Sequence, residues 1–214
     1  MYPFIFIFII IGIFISCCFS FITSIMTIKV NRNSEHNKLG TTTTSKDYQY
    51  PKAVVFDLDY TLWPCWCDTH IDTPIKSVSS TQVIDRSGMR LSFYPHVESI
   101  IQELVANDVK IIGASRTATP QVAKKLLSML HINDKPAITY FDSLQWGQGS
   151  KIKHIGLAAK QLGMSQELQE GEFVLFDDEL RNRDVKNIKV HFVHVPDESK
   201  GLTRQIFEQG LLSR

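Results

Sequence analysis

From Met1 to Ile28 the chain has no charged residue at all. Over its 214 residues it has little net charge of either sign, with 23 Lys and Arg against 22 Asp and Glu, for a formal +1. That balance excludes nucleic-acid binding through phosphate neutralisation, which needs a basic face. Cysteine is scarce, four in all, and Cys65 and Cys67 sit one residue apart. So close a pair makes a poor disulfide and reads as reduced thiols of a cytosolic protein. With His70 it invites a zinc reading, but a structural zinc site needs a further ligand and none lies at the usual spacing. Internal repeats are absent. The length suits one domain of ordinary size and leaves little room for two.

The uncharged head, residues 1–28, is crowded with Phe and Ile, and a helix of about 20 such residues spans roughly 30 Å of hydrocarbon. A membrane anchor is one reading, with Cys17 and Cys18 as passengers. A cleaved signal peptide is the second, although no basic residue precedes the apolar core. A start at Met26, with the preceding stretch never made, is the third. Lys29, Arg32 and Lys38 follow directly, and the positive-inside tendency would leave the rest of the chain in the cytosol. Removing the first thirty residues removes one charge, Lys29, so the remaining 184 of the 214 residues hold 22 basic and 22 acidic side chains. Residues 29–50 are polar, with no apolar period able to bury a face, and read as a linker.

After Pro51 strands and helices alternate. Ala53–Phe56 has the continuous apolar run of a strand buried on both faces of a parallel sheet. Helical spacing marks Val97–Val105, and Lys110–Ala114 is a second buried strand. Thr119-Pro120 signals a helix start, with Val122, Leu126, Leu127 and Leu130 as the inward stripe. A weaker strand is predicted at Ala137–Phe141, a helix at about Ser150–Leu162, a strand at Glu172–Phe176, a short helix at Glu179–Lys186 and a last strand at Val190–Val195. The fold class is therefore α/β with a doubly wound parallel sheet, whose functional edge is formed by the carboxyl ends of its strands. Between the first strand and the first helix lies an insertion, about 64–95, read as a small β-hairpin flap over that edge.

The first strand ends in Asp57-Leu58-Asp59 and the third strong strand in Asp177-Asp178-Glu179. Two carboxylates about 4 Å apart repel by roughly 4 kcal/mol at an effective dielectric of 20, so a divalent cation is implied. Oxygen-only ligands favour Mg²⁺. The second strand ends in Ala114-Ser115-Arg116-Thr117, where a hydroxyl and N–H groups can hold a phosphate oxygen, and Lys151 opens a helix. Asp-x-Asp, Ser, Lys and Asp-Asp, in that order, suit phosphoryl transfer, in which positioning and charge neutralisation dominate.

On Phe56–Pro64, Cys67–His70, Ala114–Thr117, Gly149–Lys151 and Phe176–Glu179 with Arg181-Asn182, the chain resembles the haloacid dehalogenase-like hydrolases, and within them the eukaryotic magnesium-dependent phosphatases. The resemblance covers about Lys52 to the C-terminus. It implies a Rossmann-like haloacid dehalogenase fold with the flap as a minimal cap. It also implies that Asp57 is the nucleophile that becomes an aspartyl-phosphate, with Asp59 as acid and then base. Mg²⁺ would be held by Asp57, the main-chain carbonyl of Asp59 and Asp178, with Asp177 in support. Leu58, Ser115, Arg116 and Lys151 would bind substrate, either a phosphorylated small molecule or a phosphoprotein, with phosphotyrosine and sugar phosphates as classes.

Arg181 and Arg183 read as a solvated face. Trp63, Trp66, Phe93 and Tyr94 either wall the entrance or form a hydrophobic foot for the flap. The histidines pair with no nucleophile. Two rivals use related architectures: a receiver-like signalling domain, whose phosphorylated Asp would come later in the chain, and a catalytically silent membrane-tethered adaptor, which would not need Asp57, Asp59 and Lys151.

Overall fold

Four consecutive buried residues, Ala53–Phe56, form β1 at the centre of a five-stranded parallel sheet. The structure is a computed structural model, and it describes residues 48–214. The apolar head and the readings attached to residues 1–47 lie outside the described residues. Among the described residues, no helix is long and apolar enough to cross a membrane.

In chain order, β1 is followed by β2 (Lys76–Ser77), β3 (Val83–Ile84), β4 (Arg90–Leu91), α1 (Val97–Ala106), β5 (Lys110–Ser115) and α2 (Pro120–Met129). Then come β6 (His131–Ile132), β7 (Lys135–Pro136), a 3₁₀ turn at Ala137–Tyr140, β8 (Ser143–Trp146), α3 (Lys151–Leu162) and α4 (Ser165–Glu170). The chain closes with β9 (Phe173–Asp177), a 3₁₀ segment at Leu180–Ile188, β10 (His191–His194) and α5 (Arg204–Leu212). The sheet order is β10-β9-β1-β5-β8, and all four pairings are parallel.

Alternation along each strand splits the core in two. Val54, Phe56, Ile111, Val174 and Phe176 pack with α1, α2 and α5 on one face, through residues such as Ile100, Leu104, Leu126 and Phe207. Ala53, Val55, Ile112, Ala114, Phe173 and Leu175 pack on the other face with Ile155, Ala158 and Ala159 of α3 and with Val185. Burial on both faces explains why these strands read as unbroken apolar runs.

Two expectations are corrected. Ala137–Tyr140 is a 3₁₀ turn rather than a strand, and the edge strand is Ser143–Trp146. Pro136 opens the turn, the Thr139 hydroxyl closes it on the Pro136 carbonyl at 2.7 Å, and the Tyr140 hydroxyl ties it to the Ile132 carbonyl at 2.8 Å. The true edge strand is half-exposed along most of its length, so it lacks the apolar run that marks the inner strands. The insertion, in turn, forms the three-stranded antiparallel meander β2-β3-β4 instead of a hairpin. Val83 and Leu91 sink into the core, and the Ser80 carbonyl accepts the His131 N–H at 2.7 Å, which pins the meander beside α2.

Candidate active site

Asp57 is the first residue beyond β1. The register sets Phe56 beside Phe176, and the Asp57 N–H carries the ladder one step further, to the Phe176 carbonyl at 2.9 Å. Asp57 therefore emerges next to Asp177, the last residue of β9. Because Phe56 and Phe176 face α1 and α5, alternation turns the two aspartates to the opposite face, which α3 covers.

The first turn of α3 meets them there. The Ser150 hydroxyl caps the helix by accepting the Lys153 N–H, and Lys151 fills the gap between the acids. Its ammonium is 1% exposed. It donates to Asp57 Oδ1 at 2.5 Å, pairs with Asp177 Oδ2 at 3.1 Å and bonds the Ala114 carbonyl. Burial alone would lower its pKa, but Asp57 and Asp177 hold it above the ordinary value.

Asp177 is wholly buried and fully engaged. Its Oδ1 accepts the Glu179 N–H and Asn182 Nδ2, both at 2.9 Å, and its Oδ2 accepts Asn182 Nδ2 at 3.0 Å as well as Lys151. Asp178 is half-buried and lines the cleft, where burial and the Asp177 charge push its carboxyl up to about 7. Burial likewise raises Asp57 well above the carboxylate range; Lys151 pulls it down, while Asp177 and Asp178 push it up. One oxygen of each of these three acids lies within 4.8 Å of the others, and Lys151 pairs with two of them, Asp57 and Asp177.

After Asp57 the chain folds back on itself. Leu58 O accepts the Leu62 N–H at 2.8 Å, and the Tyr60 N–H donates to the Trp63 carbonyl at 2.8 Å. This turn carries the Trp63 indole onto Asp59, whose carboxyl is raised by burial and drawn back by hydrogen bonds from Trp63 and Cys67. The Leu58 side chain is wholly buried, so any contact it makes with a substrate must come from its main chain. Ser115 ends β5 with its hydroxyl accepting the Thr117 N–H at 3.2 Å, and Arg116 reaches Asn182 Oδ1 at 3.4 Å.

Asp57, Asp59, Ser115, Arg116, Lys151 and Asp178 all line one cleft of about 250 Å³. Trp66 lines it too, as one of its two sequence readings expects, with four residues that had no site role in the sequence: Asp68, Thr117, Glu179 and Arg181. Arg181, expected on a solvated face, is exposed but sits at the cleft, forked onto Glu179 at 2.5 Å. The four aromatics divide: Trp63 and Tyr94 are buried, Phe93 stacks on Trp63 at 6.0 Å, and Trp66 alone of them lines the cleft, 44% exposed. The meander strands contribute no lining residue; Trp66 and Asp68 precede them. Asn182, which holds both oxygens of Asp177, is marked in the sequence only as one of the residues that carry the family resemblance.

Residues 49–214 match the family model described as Acid Phosphatase. A Saccharomyces cerevisiae protein, provisionally named a magnesium-dependent phosphatase, is 37% identical over 171 residues, covering 76% of this chain and 96% of its own. Human magnesium-dependent phosphatase 1 is 36% identical over 162 residues, covering 75% of this chain and 85% of its own. A haloacid dehalogenase-superfamily hydrolase from Ehrlichia chaffeensis superposes with a TM-score of 0.50 at 12% identity, over 76% of this chain and 95% of that one, a likeness of fold alone. A parallel sheet delivering its acids to one edge, together with these matches, leads to one assignment: the chain belongs to the Acid Phosphatase family, among the magnesium-dependent phosphatases of the haloacid dehalogenase-like superfamily.

Proposed function

We propose that the chain hydrolyses phosphomonoesters through a phosphoaspartate on Asp57. The observation that carries this reading is the state of Asp57 itself: a buried carboxylate on the floor of the cleft, with Lys151 on one oxygen and Asp177 and Asp178 beside it. An Asp57 oxygen bonds to phosphorus as the bond to the leaving oxygen breaks, and Asp59 gives that oxygen its proton. Water then attacks phosphorus, Asp59 takes the water proton, and the bond from phosphorus to Asp57 breaks to release phosphate. Lys151 offsets the charge on Asp57 and the phosphoryl group. Ser115 and Arg116 hold phosphoryl oxygens, with Leu58 contributing through its main chain.

The donor set fits Mg²⁺: it is all oxygen, and three carboxylates with an oxygen each within 4.8 Å of the others carry charge that a divalent ion would relieve. The holders would be Asp57, the Asp59 main-chain carbonyl and Asp178. Asp177, whose oxygens are already engaged, supports them. Bound there, Mg²⁺ would neutralise charge on the carboxylates and the phosphoryl oxygens.

For substrate we infer phosphotyrosine or sugar phosphate, including sugar phosphate carried on protein amines. Support for a bulky ester comes from the lining, to which the meander strands add nothing. The test is p-nitrophenyl phosphate hydrolysis with Mg²⁺ or with chelator, beside Asp57→Asn. The reading expects both chelation and the substitution to abolish turnover; activity surviving either would overturn it.

A further inference from the structure

Asp59 is 8% exposed, and its carboxyl is gripped from one side by two neighbours that the proposed mechanism leaves unused. Trp63 Nε1–H donates to Oδ1 at 2.7 Å, and the Cys67 N–H donates to the same oxygen at 3.2 Å. The Cys67 thiol donates to Oδ2 at 3.6 Å. The grip is itself anchored. Trp63 is wholly buried, its ring stacked on Phe93 at 6.0 Å and 26°, and its carbonyl accepts the Tyr60 N–H. The Cys67 sulfur lies 3.2 Å from the Thr117 hydroxyl, which accepts the Thr119 N–H at 3.1 Å, while the Thr117 N–H donates to Ser115. With Asp59 ionised and the Thr119 hydroxyl, 3.4 Å away, donating to Thr117, one orientation satisfies the chain: Thr117 O–H donates to sulfur, and the thiol donates to Asp59.

We propose that Trp63 and Cys67 are positioning residues for Asp59, fixing its carboxyl for proton transfer to the leaving oxygen and bolting the Asp59 loop to the phosphate-holding loop at Ser115–Thr117. The inference rests on the reading of Asp59 as acid and base. It goes beyond that reading by naming what holds the acid in a cleft to which the meander strands contribute nothing. A carboxyl free to rotate about χ1 and χ2 would spend much of its time away from the reacting oxygen, and a misplacement of about 1 Å costs on the order of 10²-fold. Three donors on two oxygens remove that freedom before substrate arrives. Cys67 has its thiol pKa raised by burial and by the Asp59 charge, as a donor needs and a nucleophile does not.

The experiment uses the full chain with Mg²⁺ and compares kcat/KM for p-nitrophenyl phosphate, whose leaving group departs without a proton, and phenyl phosphate, whose leaving group requires one. Trp63→Phe keeps the ring and removes the N–H. It is expected to reduce kcat/KM about tenfold more for phenyl phosphate than for p-nitrophenyl phosphate. A loss of folded or active enzyme would scale both esters alike. Cys67→Ala should move the ratio the same way, by about threefold, and Cys67→Ser, which restores a donor, should bring it back. If Trp63→Phe does not fold, the Cys67 pair decides alone. Asp59→Asn separates the two claims. If it leaves the ratio unchanged, the acid role of Asp59 is overturned. If it raises the ratio while Trp63→Phe and Cys67→Ala keep the wild-type value, the positioning inference is overturned and the acid role stands.

Discussion

Two clusters of charged groups, one at the carboxyl edge of the central sheet and one between α1 and α5, are built on opposite principles. At the carboxyl edge Asp57, Asp177 and Asp178 crowd together, and the one ammonium among them, Lys151, pairs with Asp57 and Asp177. Between α1 and α5, Glu103 of α1 faces Arg204 at 2.5 Å and accepts the hydroxyls of Tyr48 and Tyr50 at 2.6 and 2.7 Å. Burial and the Glu103 charge push both phenols up, so they remain donors. Among the described residues, the second cluster pairs one carboxylate with one guanidinium and two neutral donors, and it fastens the start of the domain to α1 and α5. The first has two carboxylates more than its cation can answer. A charge excess that the rest of the fold must hold in place is what a ligand can neutralise, whereas a matched cluster has nothing left for a ligand to do.

Substitutions that break the comparison should therefore move activity at one cluster and stability at the other. Asp57→Asn should lower phosphatase activity on the order of 10⁴-fold while thermal stability does not fall, because one crowded acid becomes neutral. Parallel rate and melting measurements check both halves. Lys151→Met leaves the acids uncompensated, and should abolish activity and destabilise the metal-free protein by about 3 kcal/mol, a loss that added Mg²⁺ partly restores. Chemical denaturation with and without Mg²⁺ reads this directly. Glu103→Gln should do the converse, costing about 2 kcal/mol of stability, scaled down for the partial exposure of Arg204, with kcat/KM unchanged.

A smaller effect sharpens the boundary of the catalytic edge. His154, buried one turn beyond Lys151, has its pKa lowered from 6.5 to about 4 by burial and by the neighbouring Lys151 and Arg116 charges, and its Nδ1 has no hydrogen-bond partner among the described residues. Above pH 6.5 it is neutral in both the folded and unfolded states and has no linkage effect. As pH falls from 6.5 towards 4, the unfolded chain gains a proton that the folded one refuses, so stability drops, by about 2 kcal/mol allowing for screening. Subtracting the pH–stability curve of His154→Gln from that of the wild type should isolate this slope. Identical curves would show that the ring is not held neutral.

How much of this was legible in the sequence follows from how local each feature is. The inner strands announce themselves because burial on two faces demands the unbroken apolar runs of Ala53–Phe56 and Phe173–Phe176. The acids follow at once, because a strand end is fixed by the strand. Ser143–Trp146 stayed hidden because an edge strand needs no such run, and the apolar Ala137–Tyr140 beside it imitates one. The cleft lining was only half visible for a different reason. Trp66, Asp68 and Arg181 reach it through the path of an insertion and a 3₁₀ segment, and no spacing rule predicts those paths. Trp63 read as either an entrance wall or a foot for the flap; only the fold-back of residues 58–63 turns its N–H onto Asp59.

The central claim is covalent, and it is tested most directly by looking for the bond. Asp59→Asn should form the phosphoaspartate and hydrolyse it slowly, so acid quenching after exposure to p-nitrophenyl phosphate and Mg²⁺, followed by peptide mass spectrometry, should find one phosphoryl group on the peptide carrying Asp57. The same treatment of the variant with Asp57→Asn added should find none. A phosphoryl group on another residue, or full turnover with no phosphoenzyme at any time point, would contradict the account.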